Sequence, residues 1–134
     1  MNRTLLEQAI AGLADELGYA CTIGGNESMQ STVVRYPAAR LLPLRLHRIE
    51  GRKHGRIVYE ATLHLLRLGM KQPLEVRAQL LARLENDLLE LFARLSDHPQ
   101  VIAVEQLGIT PSQARFTSHG EVAQTAQARI ITFF

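Results

Sequence analysis

The chain has 134 residues, 46% of them hydrophobic and 21% charged, with a formal net charge of +2. A chain of that length most often forms one domain whose core needs no disulfide or metal staples; the composition is that of an ordinary globule, so disorder is not the default, and no internal repeat or low-complexity run appears. No apolar run approaches the roughly 18 residues needed to span a membrane, and the single Cys21 can make no internal disulfide, which fits a reducing compartment.

Asn2 or Thr4 can cap a first helix running to about Leu17, with Leu5, Leu6, Ala9, Ile10, Leu13, Ala14 and Leu17 on its apolar face. Gly18 ends it, as a residue that tolerates a left-handed conformation. Glu7 and Asp15-Glu16 fall inside this pattern, so the first residues read as the start of a helix and not as a signal peptide. Tyr19 to Ile23 is a short strand, Gly24-Gly25-Asn26-Glu27-Ser28 a polar loop, and Ser31 to Tyr36 an extended, β-branched stretch that Pro37 ends. The loop glycines lack both the GxxxxGK[ST] pattern and a following helix, so they do not make a phosphate cradle.

Arg40–Gly69 carries the clearest β signal. Leu42, Leu44 and Leu46 alternate with Pro43, Arg45 and His47; beyond Gly51-Arg52-Lys53-His54, Ile57, Tyr59, Ala61, Leu63 and Leu65 alternate with Val58, Glu60, Thr62 and His64. A four-residue loop that sets Glu50 against Gly55 places Leu46 opposite Tyr59, Leu44 opposite Ala61 and Leu42 opposite Leu63 on one face. Arg45 then lies opposite Glu60 on the other, a favourable cross-strand pair. Pro43 removes a ladder donor, which predicts an edge strand or a bulge near that point. The hairpin tip is basic: five Arg and one Lys against one Glu between Arg40 and Arg56 give a local +5, leaving −3 for the rest. Arg45, Arg48, Arg52, Lys53 and Arg56 are the candidate interaction residues, for nucleic acid, an acidic partner, or solubility alone.

Pro73–Asp97 is the organising helix. Leu81, Leu84, Leu88, Leu91 and Leu95 recur at three- and four-residue steps, and Leu80, Leu89 and Phe92 widen the stripe. Pro73 suits the first turn, Glu75 complements the helix dipole, and His98-Pro99 stops the helix. Arg77, Arg83, Glu85, Asp87, Glu90 and Arg94 form the opposite, solvated side. Val101, Ile102, Val104 and Leu107 then mark a strand, Thr110-Pro111-Ser112 a turn, and His119-Gly120 another after Phe116-Thr117. Glu121–Phe134 alternates as a last strand, with Val122, Ala126, Ala128, Ile130 and Phe134 on one side and Gln127 and Arg129 on the other. Its Phe133-Phe134 end is expected to tuck into the fold or against another subunit.

Strand runs joined by hairpins, with helices separated in sequence, predict a single α+β domain over residues 1–134. It has a largely antiparallel sheet, a long basic-tipped hairpin and two helices on one face. Catalytic signatures are missing: there is no GxSxG, no paired carboxylates in a loop, and no HExxH, HxH or Cys/His spacing among His47, His54, His64, His98 and His119. The expectation is a protein that is not an enzyme and needs no cofactor or metal. His47 and His64 read as outward strand positions and Cys21 as a small buried side chain. The aromatic interleaving of an RNA-binding surface is also missing, since only Tyr59 lies near the basic tip and it belongs to the apolar face.

The order of the Leu5–Leu17 helix, the Leu42–Leu65 hairpin, the Pro73–Asp97 helix and the closing stretch Gly120–Phe134 resembles the tail-terminator, or tail-completion, proteins of long-tailed bacteriophages. That resemblance covers most of the chain as topology and carries no motif. It implies a structural protein of the host cytoplasm or the virion that assembles as a ring, commonly hexameric. The sheet edge would make the ring contacts, and tail-tube or head-connector proteins would be the partners. It supplies no catalytic residue. The alternatives of another class are a small nucleic-acid-binding module using the basic hairpin, or a protein–protein adaptor.

Overall fold

The computed structural model describes residues 1–24, 35–51, 55–112 and 120–134. The polar loop from Gly25, the extended stretch 31–34, the tip residues Arg52-Lys53-His54, and Phe116-Thr117 and His119 lie outside the described residues.

The first helix, α1, spans Arg3–Glu16. Asn2 is its cap: the side chain accepts a 2.8 Å bond from the Leu5 amide, one of the donors that a helix start leaves without a partner. Gly18, at φ +91°, turns the chain into β1 (Ala20–Ile23). β2 (Ala38–Leu41), β3 (Arg45–Glu50) and β4 (Arg56–Leu68) follow, then α2 (Leu74–Ser96), β5 (Val101–Pro111) and β6 (Glu121–Phe133). The six strands make one sheet ordered β1-β2-β4-β6-β5, with β3 beside β4. All pairings are antiparallel except β1 with β2. The class is α+β, as the separated helix and strand patterns predict.

Both helices cover one face. Leu6, Ile10 and Ala14 of α1 and Leu84, Leu88, Leu91, Phe92 and Leu95 of α2 share a core with Tyr59, Ala61, Leu63 and Leu65 of β4 and Val122, Ala126, Ala128 and Ile130 of β6. The alanines of β6 keep the sheet surface low under α2. Burying one such leucine stabilises the fold by about 1.5–3 kcal/mol. Leu89, expected on the buried stripe, is instead exposed, because α2 rests on a sheet that covers only part of its circumference. Asp87 also departs from expectation. Rather than lying on a solvated face, its carboxylate accepts a 2.5 Å bond from the buried Tyr19 hydroxyl. Burial foremost, then that bond, pushes the Tyr19 pKa up to about 12. The Arg67 guanidinium stacks 5.3 Å from the Tyr19 ring centre, so the group ties the end of α1 to α2 and β4.

The hairpin keeps two of its predicted partners and shifts the others. Arg45 lies opposite Glu60 and Leu46 opposite Tyr59. Leu41, not Leu42, lies opposite Leu63, because the ladder breaks around Pro43, which has no N–H to donate, and β2 and β3 become separate strands. A bulge at His47 moves the register again, so Glu50 meets Arg56 instead of Gly55. At the hairpin neck Gly51 sits at φ +78°, and a Cβ on Gly55 would overlap the Glu50 carbonyl oxygen. The stretch read as a turn at Thr110-Pro111 continues as strand β5, where Thr110 pairs with Thr125 and Pro111 with Gln124.

Candidate interaction surface

Of the five predicted basic residues, the structure describes three: Arg45, Arg48 and Arg56; Arg52 and Lys53 lie outside the described residues. Arg45 and Arg48 stand on β3 opposite Glu60 and Val58 of β4, and Arg56 stands opposite Glu50 and Phe133. Because directly paired residues point to the same side of a sheet, all three face away from the helices. Arg129 of β6, opposite Glu60, and Glu105 of β5, opposite Arg129, join them there. The topology thus assembles a row, Arg45–Glu60–Arg129–Glu105, that alternates in sign across four strands. Sequence alternation showed the first pair; the other two required knowing that β6 lies between β4 and β5.

Acidic neighbours offset most of this positive charge. Glu50 Oε1 is 3.0 Å from Arg48 Nε, and Glu60 Oε1 lies 3.2 Å from His47 Nδ1 and 3.7 Å from Arg129 Nε. Arg45, Arg48, Arg56 and Arg129 are set against Glu50, Glu60 and Glu105, which leaves +1 within this group of seven. Arg40, which contributes to the local excess in sequence, does not reach this surface. It is buried on β2 and donates a 2.9 Å bond to Thr22 Oγ1. A dent of about 330 Å³ lies between the β2–β3 break and the β5 bulge, lined by Pro43, Arg45, Glu60, Thr62, Gln127 and Arg129.

The apolar side of the hairpin is barer than its alternation suggests. Leu46 and Ile49 are 48% and 53% exposed, and every residue of β3 is exposed. The His47 bulge sets both side chains on the helix-bearing face, opposite Tyr59 and Ile57. Among the described elements, however, β3 touches β4 alone and neither helix reaches it. Phe133 and Phe134 are 51% and 62% exposed, and the Phe134 amide donates to the Gly55 carbonyl at the hairpin neck, which brings the chain end beside the hairpin. The last strand is therefore central in the sheet while its two phenylalanines remain outside the core.

His64, expected to face outward, is on the helix-free side but buried, with Nδ1 2.7 Å from Thr125 Oγ1; burial and then the Arg40 charge lower its pKa to about 4. Burial raises the half-buried Cys21 thiol to about 11, so it is not a thiolate near neutrality. Sequence reading passed over Gln124, which faces the helices and donates 3.2 Å to the Leu81 carbonyl. Among the described residues no group of His, Cys, Asp or Glu side chains could hold a metal ion, and no described helix is long and apolar enough to cross a membrane. Compared with known proteins, the chain matches no family model and no curated relative.

Proposed function

We propose that this chain is a non-enzymatic structural protein that self-associates, as a ring of copies, to complete or cap a phage tail or neck. The observation that carries the self-association is β3. Its outer edge offers backbone donors and acceptors beside two half-exposed aliphatic side chains, in a strand that neither helix covers. The tail or neck assignment draws on the order of elements, from leading helix through hairpin and long helix to closing strand pair. The mixed charge of the helix-free face favours a protein partner over nucleic acid, which would be held by an unbroken field of positive charge. A protonated Cys21 and a buried, neutral His64 supply neither a nucleophile nor a base near pH 7.

Light scattering across a dilution series tests the reading. A ring-sized species that electron microscopy resolves as a closed annulus is expected. A monomer at every attainable concentration, or tight salt-sensitive binding of single- or double-stranded nucleic acid by that monomer, overturns it.

A further inference from the structure

We propose that the dent on the helix-free face is a binding site for a carboxylate group, with Arg45 as the residue that recognises it. The proposal goes beyond self-association and does not depend on it.

Two irregularities of the sheet make the dent. On one side the ladder breaks around Pro43, which has no N–H to donate, so β2 and β3 lie end to end along β4 with a gap between them. On the other, the register of β5 against β6 shifts between Glu105 and Gly108, and the bulge places Gln106 on the wall of the dent. Among the described residues other than glycine, Gln106 alone has a left-handed backbone, at φ 54°, a conformation uncommon for residues with a side chain. Bulges re-aim side chains, and such backbone outliers cluster at ligand sites. Between the two walls Thr62 of β4 and Gln127 of β6 are direct neighbours, and Gly108, next in that row on β5, adds no side chain. The volume left open, about 330 Å³, falls at the lower end of small-ligand sites.

Donors in the dent outnumber acceptors. The side chains of Arg45, Thr62, Gln106 and Gln127 make no hydrogen bond or ion pair among the described residues. Arg45 lies opposite Glu60, but that carboxylate is already engaged, with Oε1 3.2 Å from His47 Nδ1 and 3.7 Å from Arg129 Nε. Arg45 and Arg129 against Glu60 leave one positive charge in the described lining, and Glu105 stands beyond Arg129, outside it.

That charge selects the ligand. A carboxylate brings one negative charge and a planar pair of oxygens that an arginine fork can meet with two parallel bonds. A phosphate group near pH 7 brings about −1.5 to −2, and Glu60 beside it repels the surplus. Gln106, Gln127 and Thr62 can donate to further oxygens of the same ligand. Because Arg45, Gln106 and Gln127 are exposed, water and salt weaken the attraction, and an affinity in the millimolar range is expected. The carboxylate can come from a free small acid or from an acidic side chain of a protein.

Saturation-transfer NMR at constant ionic strength reads such weak binding to a monomer or an assembly alike. Sodium glycolate is the probe for a free acid, and acetyl-Gly-Glu-Gly-amide the probe for an acidic side chain. Saturable binding is expected for at least one of them, displaced more effectively by acetate than by an equal concentration of inorganic phosphate. Neutral glycolamide is expected not to bind. R45Q should weaken binding about tenfold and Q127A about threefold. R83Q removes the same charge from the exposed side of α2 and should leave binding unchanged. Thermal unfolding checks that each variant folds, and Q127A decides the matter where R45Q does not fold.

Tighter binding of glycolate supports the site and identifies a free small acid as its ligand; tighter binding of the peptide supports it and identifies a protein side chain. The site is overturned if neither probe binds, if glycolamide binds as well as glycolate, if phosphate displaces more effectively than acetate, or if R45Q binds within about twofold of wild type. Light scattering decides self-association separately, so failure here leaves that reading standing.

Discussion

The two halves of β4 lie beside strands that make opposite use of the same alternating pattern: β2 is wholly buried and β3 wholly exposed. From Leu63 to Leu66 the strand lies between β2 and β6. Leu63 and Leu65 are buried in the core the helices share, and His64 and Leu66 are buried on the far side. From Arg56 to Glu60 it lies between β6 and β3, and the β3 side chains opposite it are all exposed. An apolar residue at every second position therefore means core all along β4 but exposed surface on β3, the strand beside its first half. The difference is the reach of the helices: α1 touches β1 and β2, α2 touches β4, β5 and β6, and neither touches β3.

The contrast predicts a graded response to substitution. The largest effect is expected deep under the helices. Leu88→Ala, at a fully buried position, should cost about 2–5 kcal/mol of unfolding free energy in urea, through lost transfer energy and a residual cavity; a cost below about 1 kcal/mol would mean that α2 is not anchored as described.

The helix-free side of the same half should show itself through pH. His64 has a folded-state pKa near 4 against an ordinary 6.5, so below pH 6.5 the unfolded chain binds the proton that the folded chain refuses. Stability from this group is full above 6.5, falls as pH drops from 6.5 towards 4, and is flat below. The total loss is at most about 3 kcal/mol. Denaturation midpoints of wild type and His64→Gln at pH 7, 5.5 and 4 check the sign, since the variant should lack this component of the slope.

A smaller loss is expected at the junction of α1, α2 and β4. Tyr19→Phe removes the hydroxyl that Asp87 accepts from and should cost about 1–3 kcal/mol. A double-mutant cycle with Asp87→Asn would show whether the two residues couple.

The smallest effect on stability, and the one that separates the two halves most sharply, lies on β3. Leu46→Ser and Ile49→Ser sit at half-exposed positions and should change monomer stability by about 0.5 kcal/mol or less, while both weaken self-association. Equal loss of stability at Leu46 and at Leu63 would erase the distinction between the halves.

Local features were legible in the sequence because they depend on chain neighbours. Asn2 caps its helix through an amide three residues away, the leucine spacing of α2 follows the helical period, and Arg45 meets Glu60 because a short loop joins their strands. Two features of the hairpin were harder to read. Pro43 announced a disturbance but not its result, in which Leu41 takes the place expected of Leu42 opposite Leu63. The His47 bulge announces itself through no residue type, since any side chain can occupy it. Asp87 illustrates the same limit: its place on the polar side of α2 follows from spacing, yet its partner Tyr19 is 68 positions away.

Taken alone, the sequence determined both helices and their ends, the antiparallel hairpin and the predominantly antiparallel class, because short-range sterics and periodicity set these. Only the tertiary structure decided which face of which strand is left bare. It brought β6 between β4 and β5 to complete the alternating row from Arg45 to Glu105, it buried Arg40 and His64, and it stopped the helices short of Leu46 and Ile49. Exposure follows from what packs above a residue, and packing depends on where elements far apart in the chain come to rest.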